Sequence, residues 1–221
     1  MVPRNEATRA DSDPAGTHST TWNWGDATLG AGTVAEAFGN GVASGTHAYA
    51  SPGLYSLDVI VTDDDDGSAL GEKGFQYVAV YDPAAGGITG GGTFESPAGA
   101  YTANPAATGS AIVVINANYQ SGENVPSGAT SFRLHSANLV FQSSGYEWLI
   151  VKGNQAFLQG SGLLNGGPCK FLVAIETGFS SSTALRFEFW DDTGVLYDSQ
   201  PGYPKTADPM TPLLGNVTIG N

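Results

Sequence analysis

Hydrophobic and polar residues alternate with a period of two along much of this chain, the spacing of strands that bury one face. In THSTTWNWGD (17–26), His18, Thr20, Trp22 and Trp24 fall on one side, with Ser19, Thr21 and Asn23 opposite. In YSLDVIVTD (55–63), Tyr55, Leu57, Val59 and Val61 share a face against Ser56, Asp58 and Thr62, with Ile60 the exception. FQYVAVYDP (75–83) predicts a strand that ends at Pro83. Later the same spacing predicts strands over 110–119, 131–135, 138–143, 146–153, 155–162, 170–177, 185–191, 195–199 and 216–220. In the 185–191 strand, Leu185, Phe187 and Phe189 share one face, and Arg186, Glu188 and Trp190 the other. Turn residues separate these runs: SGENVPSG, HSAN, SSG, KGN, NGGP, DDTG and QPGYPKTADP. Helical spacing is scarce, and AGTVAEAFG (31–39) offers one short turn between bracketing glycines. Many short strands at even spacing predict an all-β chain, with its later part an antiparallel sandwich of jelly-roll type.

A length of 221 residues leaves room for one large domain or two ordinary ones. The uncharged, glycine-rich AAGGITGGG (84–92) places a boundary at Pro83–Gly87, giving domains 1–83 and 84–221. Charge divides unevenly across it. Residues 1–83 carry 3 basic and 12 acidic side chains, a net −9, and residues 84–221 carry 5 and 9, a net −4.

Charge also narrows the partners. A net charge of −13 with only eight scattered Lys and Arg excludes nucleic acid and an anionic membrane surface, which need clustered cations. No run of 18 apolar residues occurs, so no membrane insertion by a helix is predicted. The one cysteine, Cys169, rules out a disulfide within the chain and a Cys-rich zinc site; in CKFLVAIE it reads as a small apolar residue. Charged residues are 13% of the chain, and polarity comes from Gly, Ser, Thr and Asn instead, a balance common in secreted β proteins.

The residues WNWGD, HAYASPGLY and VTDDDDG occur in that order, and together they resemble the polycystic kidney disease (PKD) domain. The matching positions are Trp22, Trp24, Gly25, Asp26, His47, Tyr49, Pro52, Gly53, Tyr55, Val61, Asp63 and Gly67, and the resemblance spans residues 7 to 83. It implies an Ig-like β-sandwich. Ala27 stands where that family's W-D-F-G-D-G pattern ends in glycine, and the first strand reads as short. The remainder resembles a β domain that follows PKD modules directly in bacterial secreted proteins, on VYDPAAGGITGGG, SPAGAYTANP, YEWLIV and WDDTGVLYD. It implies no established chemistry. The resemblance implies a secreted or cell-surface protein. MVPRNEATRA lacks a signal peptide's apolar stretch, which leaves either a cytosolic protein or a trimmed start, and the resemblance favours the trimmed start. The expected function is a non-catalytic accessory region, a spacer or presentation module with weak glycan binding. The alternatives are an adhesin or filament subunit that self-associates through sheet edges, and a fragment of a carbohydrate-active enzyme.

Three sets of residues carry candidate chemistry. Asp11, Asp13 and the run Asp63, Asp64, Asp65 and Asp66 read either as solvated turns or as a calcium site, since Ca²⁺ takes six to eight oxygens. Asp191 and Asp192 read as a hairpin turn. Tyr146 and Trp148 share a strand face by alternation, and Trp190 ends another strand; exposed, such rings stack on sugars, and buried, they are core. Glu147 and Glu188 alternate with aromatics, and a glycosidase needs two carboxylates roughly 5–9 Å apart; exposed strand glutamates are the simpler reading. His18, His47 and His135 adjoin no G-x-S-x-G elbow and no H-E-x-x-H motif, so neither a hydrolytic triad nor catalytic zinc is expected. At least one tryptophan of WNWGD is expected in the core, with Trp24 and Tyr55 packed inside the first domain, and sugar stacking by both tryptophans is the alternative.

Overall fold

The computed structural model describes residues 5–7, 17–37, 40–63, 68–70, 77–179 and 182–220. It is all-β: the regular structure of these residues is strand, apart from a 3-10 turn at His135–Ala137. The chain divides into two compact units, Met1–Val80 and Tyr81–Asn221.

The first unit contains β1 (Asn5–Ala7), β2 (His18–Asn23), β3 (Leu29–Ala31), β4 (Thr33–Ala37), β5 (Asn40–Ser44), β6 (Gly53–Ser56), β7 (Asp58–Asp63), β8 (Ser68–Leu70) and β9 (Tyr77–Val80). They pair in three antiparallel sheets, ordered β1-β5-β4, β3-β2-β7-β8 and β6-β9. The helical turn expected within 31–39 is a strand instead. β4 pairs with β5 from Thr33↔Ser44 to Ala37↔Asn40, because a segment this short cannot meet the cost of helix nucleation, whereas a ladder satisfies its backbone. YSLDVIVTD breaks at Leu57: β6 pairs with β9, and β7 with β2 and β8. The alternation still marks burial. Leu57 and Val59 join Trp22, Trp24 and Ala43 in this unit's core.

After β2 the chain reverses through Gly25-Asp26-Ala27, and the Trp24 N–H donates to the Thr28 carbonyl at 3.2 Å. Gly25 has φ +79°, and a Cβ there would stand 2.3 Å from the Ser56 carbonyl oxygen. Ala27 takes φ 69°, a left-handed conformation that costs an L-residue roughly 1–2 kcal/mol. Glycine would remove that strain at a smaller entropic cost. Ala27→Gly is therefore expected to stabilise the first unit by about 0.5–1 kcal/mol and raise its melting temperature by a few degrees. An unchanged or lower midpoint in a thermal melt would contradict the strain.

The second unit contains β10 (Gly87–Ser96), β11 (Gly109–Asn118), β12 (Ser127–Leu134), β13 (Leu139–Lys152), β14 (Gln155–Leu164), β15 (Gly167–Phe179), β16 (Ser182–Asp191), β17 (Gly194–Asp198) and β18 (Thr211–Gly220). Each strand from β10 to β16 pairs antiparallel with the next. β18 pairs with both β10 and β16, which closes eight strands into a barrel. β17 continues the free half of β16's edge, from Glu188↔Asp198 to Asp191↔Gly194. One closed sheet thus replaces the sandwich expected here. Alternation along single strands is the same in both architectures, and only the partners of the first and last strands differ.

The glycine run expected to link domains is itself a barrel strand. A Cβ on Gly92 would stand 2.4 Å from the Leu214 carbonyl oxygen, and one on Gly91 would stand 2.3 Å from that of Val113. Glycine here admits neighbouring backbones that a side chain would hold apart. Inside, Phe94, Phe132, Phe141, Phe171, Phe187, Phe189 and Tyr197 are fully buried. Phe132 meets Phe187 and Phe189 edge-on at 5.4 and 5.3 Å between ring centroids, an arrangement that favours the ring quadrupoles.

Candidate functional site

The opening tryptophans lie inside the first unit. Trp22 and Trp24 are 2% and 5% exposed and stack at 5.2 Å with planes 10° apart. Trp24 stacks on His47 at 5.1 Å, His47 meets Tyr49 edge-on at 4.6 Å, and Tyr49 stacks on half-buried Tyr55 at 4.4 Å. Asp26 fixes the middle of this ladder. Its Oδ1 accepts from the Thr28 hydroxyl at 2.5 Å and the Thr28 N–H at 3.1 Å, and its Oδ2 lies 2.7 Å from His47 Nε2. The Thr28 hydroxyl, followed by His47, brings the Asp26 carboxyl down to about 2. The Tyr49 hydroxyl donates to the Trp24 carbonyl at 2.9 Å. Five aromatic rings brought together from three segments form one column.

Of the candidate calcium ligands, Asp11, Asp13, Asp64, Asp65 and Asp66 lie outside the described residues. Asp63 ends β7 with its Oδ1 3.9 Å from His18 Nε2, while His18 Nδ1 lies 2.6 Å from Glu36 Oε1. Among the described residues no three His, Cys, Asp or Glu side chains gather as metal ligands. Cys169 is buried, and burial raises its thiol to about 11, far from the range of a nucleophile.

Tyr146 and Trp148 do not share a face. The expected SSG turn is absent, and β13 runs through it with register shifts at Ser143/Gly145 and Tyr146/Trp148. A bulge inserts one residue and reverses the alternation beyond it. Tyr146 consequently joins Leu149 and Val151 in the barrel core, where its hydroxyl donates to the Asn116 carbonyl at 2.9 Å and lies 3.0 Å from Thr130 Oγ1. Trp148 takes the outer side. Each is 8% exposed, so neither presents an open ring. Trp190 is half-buried, and the Lys205 ammonium lies 3.2 Å from its ring centroid, a cation–π contact.

Around Trp190 lies a buried charged network that alternation did not reveal. Arg186 and Glu188, on the outer side of β16, are 2% and 3% exposed. Arg186 grips Asp198 with two hydrogen bonds, of 3.1 and 2.8 Å, the fork geometry that suits a carboxylate. It also donates to the carbonyls of Pro204 and Tyr203. Lys205 donates to Glu188 Oε1 at 2.6 Å, and burial lowers its pKa. Glu188 Oε2 is buried without a hydrogen bond, 3.7 Å from Arg186 Nη2. Gln200 donates to the Asp208 carbonyl and accepts the Met210 N–H, both at 3.0 Å. These contacts bind segment 199–210 across the outside of the barrel as a strap. The turn residues of QPGYPKTADP predicted a loop but not the wall it lies on.

Glu147 belongs elsewhere. It accepts from Gln159 at 2.6 Å and from Lys170 at 2.9 Å. Its neighbour Trp148 aligns with Gln159, then Leu172, then Glu188, so the two glutamates stand three strands apart in the ladder, each held by a different lysine.

The second unit also carries an open cleft of about 540 Å³, where the ends of β10, β11 and β18 meet the turn at Pro83–Gly86. Thr89, Asn116, Asn118, Tyr119 and Ser121 line it, with no charged side chain in its wall. Beside it Tyr81 stacks on Tyr119 with centroids 6.1 Å apart and planes 12° apart. No protein-family model, curated protein or solved structure matches this chain.

Proposed function

We propose that this chain is a non-catalytic accessory region of an extracellular bacterial protein, a spacer and presentation module that makes weak contact with polysaccharide. In this reading the first unit is a PKD-like, Ig-type sandwich, and the protein acts outside the cell or on its surface. The aromatic column carries the proposal. Trp22, Trp24, Asp26, His47, Tyr49 and Tyr55, all positions of the PKD pattern, are joined by stacking and hydrogen bonds. Such a column stiffens a module and leaves its rings committed to one another. In the second unit Glu147 and Glu188 are each held by a lysine, which suits wall-building better than proton transfer. Assembly through sheet edges gains no support from a barrel whose ladder closes.

The chain is expected to show no turnover above background on polysaccharides, esters or peptides. Reproducible hydrolysis by the wild type, lost in Glu147→Gln or Glu188→Gln, would overturn the assignment.

A further inference from the structure

We propose that the cleft beside Tyr81 binds a neutral oligosaccharide, with Tyr81 as the stacking ring and Thr89, Asn116 and Asn118 as partners for sugar hydroxyls. This rests on the reading of the chain as a glycan-contacting module and assigns that contact a place.

The charge of the wall selects the ligand. In a chain of net −13, the cleft carries no acid to hold a cation and no Lys or Arg to hold a phosphate or carboxylate. Beside the apolar Pro83 and Ala84, its polar side chains are amides and hydroxyls, groups that both donate and accept, as sugar hydroxyls do. Thr89 pairs with Asn116, and Gly87 with Asn118, across one ladder. All three side chains are exposed on adjacent strands, so a rigid sheet sets their spacing. The volume lies within the roughly 300–1,000 Å³ of ordinary ligand sites.

The ring is built to stay in place. Tyr81 is 39% exposed, and the Tyr119 ring backs it. The Tyr119 hydroxyl is pinned twice to β13, donating to the Leu149 carbonyl and accepting the Leu149 N–H, each at 2.9 Å. A pre-set aromatic face costs little ordering when a sugar docks on it. Behind the cleft, Tyr146 holds the Asn116 carbonyl from inside the barrel. Asp82, next to Tyr81, is engaged with the Ala84 N–H at 2.9 Å. By contrast, Trp148 is buried and Trp190 already faces an ammonium.

The test is calorimetric titration of the full chain with cellohexaose, xylohexaose and N-acetylchitohexaose. At least one is expected to bind. Tyr81→Ala is expected to weaken that binding about tenfold or more and Asn118→Ala several-fold, with Tyr81→Phe and Trp190→Ala near the wild type. Circular dichroism confirms folding, and Asn118→Ala, at an exposed position, decides the matter if Tyr81→Ala does not fold. Binding that survives Asn118→Ala and a folded Tyr81→Ala, or that is lost only in Trp190→Ala, would refute the cleft and leave the glycan-contact reading standing. No binding of any of the three hexasaccharides at millimolar concentration would overturn both.

Discussion

Trp24→Ala is expected to destabilise the first unit by about 3–5 kcal/mol, the usual cost of truncating a buried aromatic. The ring is 5% exposed and is the link between Trp22 and His47 in the aromatic column. Its removal opens a cavity and takes away two stacking partners at once. A small domain has a total stability of only about 5–15 kcal/mol, so this loss can unfold the unit at ordinary temperatures. A thermal melt should show one transition move sharply downward while the barrel transition holds. Two unchanged transitions would place the Trp24 ring outside the core and reopen a binding role for WNWGD.

Arg186→Met should strike the barrel comparably hard, by about 3–5 kcal/mol, because it strands buried carboxylates without their counter-charge. Asp198 loses both of its guanidinium hydrogen bonds, Glu188 loses the more distant of its two cations, at 3.7 Å, and the Tyr203 and Pro204 carbonyls lose their donor. Segment 199–210 should then lift, and limited proteolysis should cut within it well before it cuts the wild type. Replacing the four charges together, as Arg186→Met, Glu188→Leu, Asp198→Leu and Lys205→Met, should recover much of the lost stability, since a well-packed apolar cluster avoids the desolvation cost. Equal melting and equal protease resistance for Arg186→Met and the wild type would refute the strap.

How much of this the sequence disclosed depends on whether each feature is local. The strand at 110–119 was legible because β11 buries every second residue, from Ala111 to Ala117. Leu185, Phe187 and Phe189 were legible as one face for the same reason. Their outward neighbours were not, because Arg186 and Glu188 are covered by a loop that starts a strand later. The Tyr146–Trp148 face failed at a bulge, where one inserted residue reverses every side chain beyond it. Barrel closure escaped because it depends on pairings such as Gly87↔Gly220, between residues at opposite ends of the unit. The GITGGG strand escaped because its glycines answer to neighbouring backbones rather than to any pattern of their own. The cleft beside Tyr81 left one faint signal, an uncharged NANYQS run that ends a β strand.

Closure by β18 also sets a schedule. The pairings of the first unit's described strands lie within Met1–Val80, so that unit can fold while the ribosome is still extending the chain. The barrel has no such freedom: its ring is open until the ten residues Thr211–Gly220 have emerged. Throughout that wait β10 stands with one side unpaired, a template for any other nascent chain nearby. What it presents there is GITGGG, mostly glycine, a residue depleted in strands. The residues that let the finished staves pack closely thus also keep the unfinished edge from being attractive during translation.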